Sequence, residues 1–373
     1  MALSIRSMLR RGVVLLMLGI GAFALLEVTA RFYVFGAAGL IPERINSVRG
    51  LPRTGYTQPS PDRRIGFELR PNLDGFFKLV PFRTNSRGLR DREYSLEKPP
   101  GSFRVAVVGS SFAMPAGVAI EDAFHSRLEE ALSAELAPRR VEFLNFAVGM
   151  YNPEQVLAML ELRALAYDPD LILFTATRLS MPWLAEDPAS PAGRTRRSLY
   201  PVARFPFEGS CPILRSFLYR LIGQRTGTDS VDWSEQIGIL ESFYMQITER
   251  PPEPPPKRAR EEALRALAPL PPAEGSVIER LAGVAERSGV PVALIRLEFE
   301  DREPDALDRE VARQADANGI AYLDTRDAFQ GTRASDLWIY ALDPHPNAEA
   351  HRIFARRIDG FLREKRLLPR VDS

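Results

Sequence analysis

This chain of 373 residues contains one cysteine and three histidines. A lone Cys211 excludes an intrachain disulfide, and its distance from the N-terminus excludes a lipid-modified cysteine just behind a leader. It reads as a small buried apolar residue. His125, His345 and His351 form neither an HExxH motif nor a Cys/His cluster, so no metal and no cofactor is expected. An excess of charge of one sign is also lacking. The formal net charge is +1, so there is no whole-protein field of the kind that nucleic-acid binding uses. The positive charge is overwhelmingly arginine, which reflects genome composition more readily than a binding surface. No GxGxxG follows the first strand of the main domain and no Gly-Lys-Ser/Thr loop occurs, which sets nucleotide binding aside. No internal repeat is visible. What remains is a globular composition, 45% hydrophobic and 26% charged, enough for one large domain or two small ones.

The N-terminus is more specific. Arg6, Arg10 and Arg11 precede an unbroken apolar run from Gly12 to Leu26, closed by Glu27. Basic residues before an apolar segment keep that end in the cytoplasm, so the chain beyond the run is exported. Extended to Val34, the run makes a single membrane span. The alternative is a cleaved leader with Val28-Thr29-Ala30 as its cleavage site. Residues 1–11 are therefore expected in the cytoplasm, 12–34 in the inner membrane as an anchor or in a signal peptide, and the body on the periplasmic or other extracytoplasmic side.

Residues 35–64 carry Gly, Pro and scattered charge without periodicity and read as a linker. Residues 65–100 are an extended, β-rich lead-in around the turn-rich Thr84-Asn85-Ser86-Arg87-Gly88-Leu89-Arg90-Asp91, expected to pack as a small appendage. From 101 to 368 strands alternate with helices. Phe103–Val108, Val141–Phe146, Leu171–Phe174, Val292–Leu297 and Ile320–Leu323 read as strands. Amphipathic stripes around 122–132, after Pro153, near 305–317 and over 346–362 read as helices. This pattern predicts an α/β domain with three αβα layers around a parallel sheet of about five strands. Such sheets bind ligands at the carboxyl ends of their strands. Residues 180–275 break the alternation with the aromatic patch Phe217–Ile222 and the proline tract 251–256. They are expected to be an insertion that could cap the site.

Three strand ends carry the candidate chemistry. Gly109-Ser110-Ser111-Phe112 would expose a serine hydroxyl at a strand-to-helix turn, with the helix N-terminus favouring negative charge there. The plain alternative is a helix-capping turn. Asn145-Phe146-Ala147-Val148-Gly149 would let backbone approach a ligand and offer the Gly149 N–H, or it is an ordinary βα turn. Asp343-Pro344-His345-Pro346-Asn347 places an aspartate where it can orient an imidazole, unless Asp343 or Asn347 merely caps the last helix.

Taken together in order, these residues resemble the SGNH/GDSL hydrolase superfamily, flavodoxin-like in fold. Gly109-Ser110-Ser111-Phe112 with Gly117-Val118 stands where that family has Gly-Asp-Ser-Phe and Gly-Val. Asn145, Gly149 and Tyr167-Asp168-Pro169-Asp170 match its second block. Asp343 to His351 matches its last block, and residues 84–91 resemble the lead-in of membrane-anchored bacterial members. The resemblance implies acyl transfer with Ser111 as nucleophile, His345 as base and Asp343 as its partner. It implies an oxyanion hole from the N–H groups of Ser111 and Gly149, and a structural role for His351. Two departures stand out: Ser110 replaces the family's Asp, and Phe174-Thr175-Ala176-Thr177-Arg178 lacks the third-block Asn, leaving Thr177 or Arg178 as substitutes. The expected substrate is an acylated carbohydrate or other ester, acetyl esters of envelope or exported polysaccharide first. Hydrolysis and acyl transfer stay open, as does oligomeric state. A degenerate, membrane-tethered glycan-binding or assembly protein of the same fold is the alternative.

Overall fold

The computed structural model describes residues 2–41, 56–185, 275–340 and 343–369. Cys211, the aromatic patch, the proline tract and nearly all of the 180–275 insertion lie outside the described residues, as do 42–55 of the linker.

An uninterrupted helix, α1 (Ala2–Phe35), opens the chain and runs well past the Gly12–Leu26 core of the expected span. Leu15, Leu16, Met17 and Leu18 are all exposed on it, so it is not a core helix of this fold. Within its stretch Ser7–Tyr33, 27 residues long, an 18-residue window reaches a mean hydropathy of 2.3. At about 1.5 Å per residue it is roughly 40 Å long, more than a hydrocarbon core of about 30 Å requires. By length and composition it can cross a membrane, and a signal sequence has the same character. Glu27 and Arg31, the charges at its far end, pair with each other at 2.6 Å. Phe35, its last residue, meets Tyr340 edge-on at 4.7 Å between ring centroids.

The lead-in forms two antiparallel pairs, β1 (Thr57–Pro59) with β2 (Phe67–Leu69) and β3 (Asp74–Phe77) with β4 (Val80–Arg83). It is less of an appendage than expected. Tyr56, Phe67, Leu69, Phe77, Phe82 and Leu89 are buried in the same core as the main sheet.

That sheet comprises β5 (Phe103–Val108), β6 (Val141–Asn145), β7 (Leu171–Ala176), β8 (Val292–Arg296) and β9 (Ala321–Asp324). The order is β6-β5-β7-β8-β9, parallel throughout. β6, β7 and β8 are buried at every position, as a parallel sheet covered on both faces demands. Helix α2 (Phe124–Glu135) packs with the last helix on one face. The other face carries α3 (Pro153–Leu162), α4 (Met181–Ala185), α5 (Val277–Ser288) and α6 (Ala306–Ala317). Asn152 caps α3 through a reciprocal bond with Gln155, ahead of Pro153. Asp305 caps α6, and Ser276 starts α5, which sequence periodicity left unassigned. The chain closes with a short antiparallel pair, β10 (Trp338–Tyr340) and β11 (Asp343–Pro346), and α7 (Ala348–Glu364), capped by Asn347. Strand order reverses between β6-β5 and β7-β8-β9. The crevice outside the carboxyl ends of β5 and β7 is thus the place for a ligand.

Candidate active site

Ser111 lies in the turn that leaves β5 at that crevice. The chain there winds through a bonded turn, with Met114 N–H donating to Ser110 O (2.9 Å) and Ala116 N–H to Ser111 O (3.1 Å). The helix read over 122–132 is there as α2, but residues 112–123, with a 3-10 turn at Ile120–Asp122, intervene before it begins at Phe124, so its N-terminus does not stand behind Ser111. Gly109 is required by its neighbour, because a Cβ there would lie 1.8 Å from Thr175 Oγ1. The Thr175 hydroxyl donates to Val108 O at 2.9 Å, crossing beneath the turn. Ser111 itself is partly exposed. Among the described residues neither its N–H nor its hydroxyl is taken by a protein partner.

Asp343 and His345 sit on β11 rather than in a loop. A strand turns alternate residues to one side, so residues 343 and 345 face the same way while Pro344 points outward, exposed. The His345 N–H donates to Asp343 Oδ1 at 3.1 Å, and the ring Nδ1 bonds the same oxygen. The imidazole packs on Phe112, next to Ser111, at 5.6 Å between centroids, and Phe299 backs Phe112 at 5.8 Å. Burial alone would raise the Asp343 carboxyl. The charges and hydrogen bonds of His345 and Lys78 outweigh it and hold Asp343 well below the usual carboxylate range. For His345, burial and then the Lys78 charge push the imidazole down, against the pull of Asp343.

Lys78 was not among the residues singled out in the sequence. It stands at the tip of the β3–β4 hairpin, and its Nζ donates to Asp343 Oδ2 at 2.5 Å and lies 3.1 Å from His345 Nδ1. A signal was available. Lys78 is one of four lysines among 49 basic residues, and it stands inside the apolar stretch Phe76-Phe77-Lys78-Leu79-Val80. Lysine is almost never buried without a partner. The remaining lead-in residues brace the nucleophile turn. Buried Arg90 donates to the carbonyls of Met114 (2.7 Å), Pro115 (2.5 Å), Val118 (2.8 Å) and Pro81 (3.4 Å). Asn85 ties its own loop through Arg87, Leu89 and Arg92. Asp91 accepts from Asn145 N–H at 2.9 Å, and Asn145 Nδ2 donates to Ala113 O at 2.9 Å.

The oxyanion donors are less complete. The Gly149 N–H points at Met114 Sδ, 3.2 Å away, and the Tyr56 hydroxyl crowds the same spot. The Thr177 N–H donates to Ser180 Oγ at 2.7 Å, opening the short turn Arg178–Ser180. Arg178 extends outward, its side chain 56% exposed, with Nη1 3.6 Å from Glu300. His351 is fully buried and stacked on Phe124, where it accepts from the Phe124 N–H at 3.3 Å. Burial first, then neighbouring charges, push His351 down to about 3. Among the described residues no cluster of His, Cys, Asp and Glu could hold a metal ion.

No family model matches the chain, and no curated protein matches its sequence. Similar solved structures include LAE5, an alpha/beta hydrolase enzyme from the metagenome of Lake Arreo, Spain. It is 14% identical, with a TM-score of 0.39 over 72% of this chain and 97% of that one. The acetyl xylan esterase AlAXEase is 13% identical, with a TM-score of 0.36 over 69% and 98%. Axe2, an acetylxylan esterase from Geobacillus stearothermophilus, is 15% identical, with a TM-score of 0.37 over 70% and 93%.

Proposed function

We propose that the protein is a serine esterase or O-acyltransferase of the SGNH type. In this reading it is exported and tethered by α1, and acts on ester-linked acyl groups, acetyl foremost, of envelope or exported polysaccharide. One observation carries the reaction class. An aspartate-held imidazole packs against the residue next to Ser111, a serine at the switch point of a parallel sheet whose hydroxyl and N–H have no protein partner among the described residues. Residues 12–34 as anchor, 65–100 as lead-in and 101–368 as hydrolase-like domain are the organisation this reading uses.

The Ser111 hydroxyl attacks the ester carbonyl while His345 Nε2 removes its proton. Asp343 Oδ1 keeps the other ring nitrogen protonated and stabilises the imidazolium that forms. The oxyanion develops toward the Ser111 N–H. Collapse expels the alcohol, which takes its proton from His345 Nε2–H, and leaves Ser111 acylated. Water then completes hydrolysis, or a sugar hydroxyl completes transfer, with His345 again as base. The Gly149 N–H joins the hole only if Met114 Sδ releases it, and no third-block Asn is present. Loss of one such donor costs on the order of a hundredfold in rate, so slow turnover of small esters is expected.

The alternative, a non-catalytic glycan-binding or assembly protein, draws support from that occupied Gly149 N–H. The two readings part on fluorophosphonate labelling and on hydrolysis of p-nitrophenyl acetate. Labelling of the wild type, abolished in Ser111→Ala and His345→Ala, is expected. A wild type that neither labels nor hydrolyses the ester leaves the binding reading.

A further inference from the structure

The hairpin tip that carries Lys78 is built at a cost. Phe77 pairs directly with Val80, so Lys78 and Leu79 are a two-residue turn, and both have positive φ, 51° and 72°. Turns of this kind favour Asn-Gly, because in the left-handed region a Cβ crowds the following carbonyl oxygen. Neither residue here is Gly, Asn or Asp. The lysine side chain is also only 6% exposed, against the strong preference of ammonium groups for water. Two unfavourable choices at one position point to a role for the side chain itself.

Its surroundings define that role. Asp343 presents two oxygens: Oδ1 faces His345 Nδ1 and N–H, and Oδ2 receives the Lys78 ammonium. The Tyr340 hydroxyl also faces this carboxylate. Gly117, in the loop behind Ser111, makes room for the tip. A Cβ there would lie 2.5 Å from Ile339 Cδ1 and 3.4 Å from Lys78 Cβ. The lead-in hairpin, the nucleophile loop and the β10–β11 pair thus converge on one carboxylate. The imidazole Nδ1 cannot donate to Asp343 and accept from Lys78 at once, since it carries either a proton or a lone pair in that plane. With the ammonium held on Oδ2, the proton on Nδ1 goes to Oδ1. Nε2 is then the unprotonated nitrogen, the form a base for Ser111 requires.

Resting on the serine-esterase reading, we propose that Lys78 is a positioning residue of the triad. Its ammonium clamps Asp343 Oδ2, selects the Nδ1–H tautomer of His345, and tempers the imidazole as a base by placing a positive charge beside it. An aspartate alone would strengthen that base. The Asp343–Lys78 pair holds orientation while cancelling most of the charge. The charged groups facing His345 are Lys78 from the hairpin and Asp343 from its own strand, with the Tyr340 hydroxyl on that carboxylate. His351 on α7 lies within electrostatic reach of it, and the aromatic rings of Phe112 and Phe299 add no charge.

The test is an NMR titration of the three histidines in the full chain, in detergent, with His345 assigned by loss of its signal in His345→Asn. In Lys78→Gln the His345 pKa should rise, because a like charge within reach is removed. Lys78→Arg should leave it near the wild-type value. The imidazole ¹⁵N shifts should report Nδ1–H in the wild type and a mixture of tautomers in Lys78→Gln. An unchanged pKa and tautomer in a folded Lys78→Gln overturns the proposal. Should Lys78→Gln not fold, a ¹⁵N-lysine titration of the wild type decides: Nζ coupled to the His345 titration supports the clamp, and an independent Nζ removes it. Neither readout requires turnover, so an inactive wild type would defeat the esterase reading without deciding this one. Where the wild type does hydrolyse p-nitrophenyl acetate, the acid limb of kcat/KM should move upward with the His345 pKa in Lys78→Gln. A purely structural lysine would lower kcat and leave that limb in place.

Discussion

The parallel sheet and the lead-in meet at the same crevice but are built differently, and they bring different things to it. The sheet is largely apolar, its buried charges Arg104, Glu142 and Arg296 all paired, and it meets the crevice through backbone: the turn after β5, the loop after β6, the end of β7. The lead-in consists of strands of three or four residues, too short to be stable alone. It is held by Asn85, Asp91 and Arg90, whose bonds close its own loop or run to the nucleophile loop and the end of β6. It supplies Lys78 and Arg90, the buried cations that reach Asp343 and the loop behind Ser111. A sheet whose strands are buried on both faces holds charge only where it is paired, so these two enter from a separate segment that brings its own hydrogen bonds.

The sharpest way to break this comparison is at Arg90. Its guanidinium answers four carbonyls, three of them in the loop behind Ser111. Arg90→Met keeps the aliphatic packing over Phe82 but leaves those buried acceptors unsatisfied. Unmade bonds of that kind cost roughly 1–3 kcal/mol each, so a loss of about 4 kcal/mol in urea unfolding is expected. Arg83→Met, in the same lead-in but with its side chain 74% exposed, should stay within about 0.5 kcal/mol of the wild type. Equal effects at the two positions would make the lead-in a mere cover.

A smaller effect separates the regions by the sign of their pH dependence. Under the nucleophile loop, burial pushes His125 and His351 down to about 3, whereas unfolded histidine titrates near 6.5. Below that pH the unfolded chain binds two protons that the folded one refuses, so stability falls on acidification. In the lead-in, burial pushes Asp91 up to about 7, against the opposing hydrogen bonds from Asn145, Arg92 and Tyr94. Unfolded aspartate titrates near 3.9. Between those values the folded chain holds one proton more, so Asp91 adds stability as pH falls. One proton is worth at most about 1.4 kcal/mol per pH unit, and the two histidines outweigh the one aspartate. Asp91→Asn removes the offset. Between pH 6.5 and 4.5 its unfolding free energy should therefore fall more steeply than that of the wild type. Parallel slopes would show that Asp91 is ionised throughout.

The same division explains what was legible in the sequence. Apolar strands and helical stripes announce a parallel sheet because burial leaves a periodic mark, and Asp343 and His345 stand two residues apart in one short motif. The five strands fell where the pattern placed them, apart from a residue or two at their ends. Lys78 is 265 residues from Asp343 in the chain, and no local pattern encodes a contact of that range. The helix read over 122–132 is present as α2, but its N-terminus stands away from Ser111 for a related reason. Residues 113–118 are held by Arg90 from the lead-in, so a tertiary contact decided a backbone that looked like a simple strand-to-helix turn.

The smallest expected effect concerns Arg178, which sequence reasoning offered with Thr177 as a stand-in for the missing Asn. An oxyanion donor must reach about 2.7–3.1 Å from the position the oxyanion will take. The Arg178 side chain instead points to solvent and meets Glu300 in an exposed pair, a contact worth about 0–1 kcal/mol. Arg178→Ala should therefore change kcat/KM for p-nitrophenyl acetate by less than about twofold and leave stability near the wild-type value. A loss of a hundredfold, the scale of a removed oxyanion donor, would mean that the side chain swings inward once substrate binds. The sheet end, and not only the lead-in, would then supply charge to the reaction.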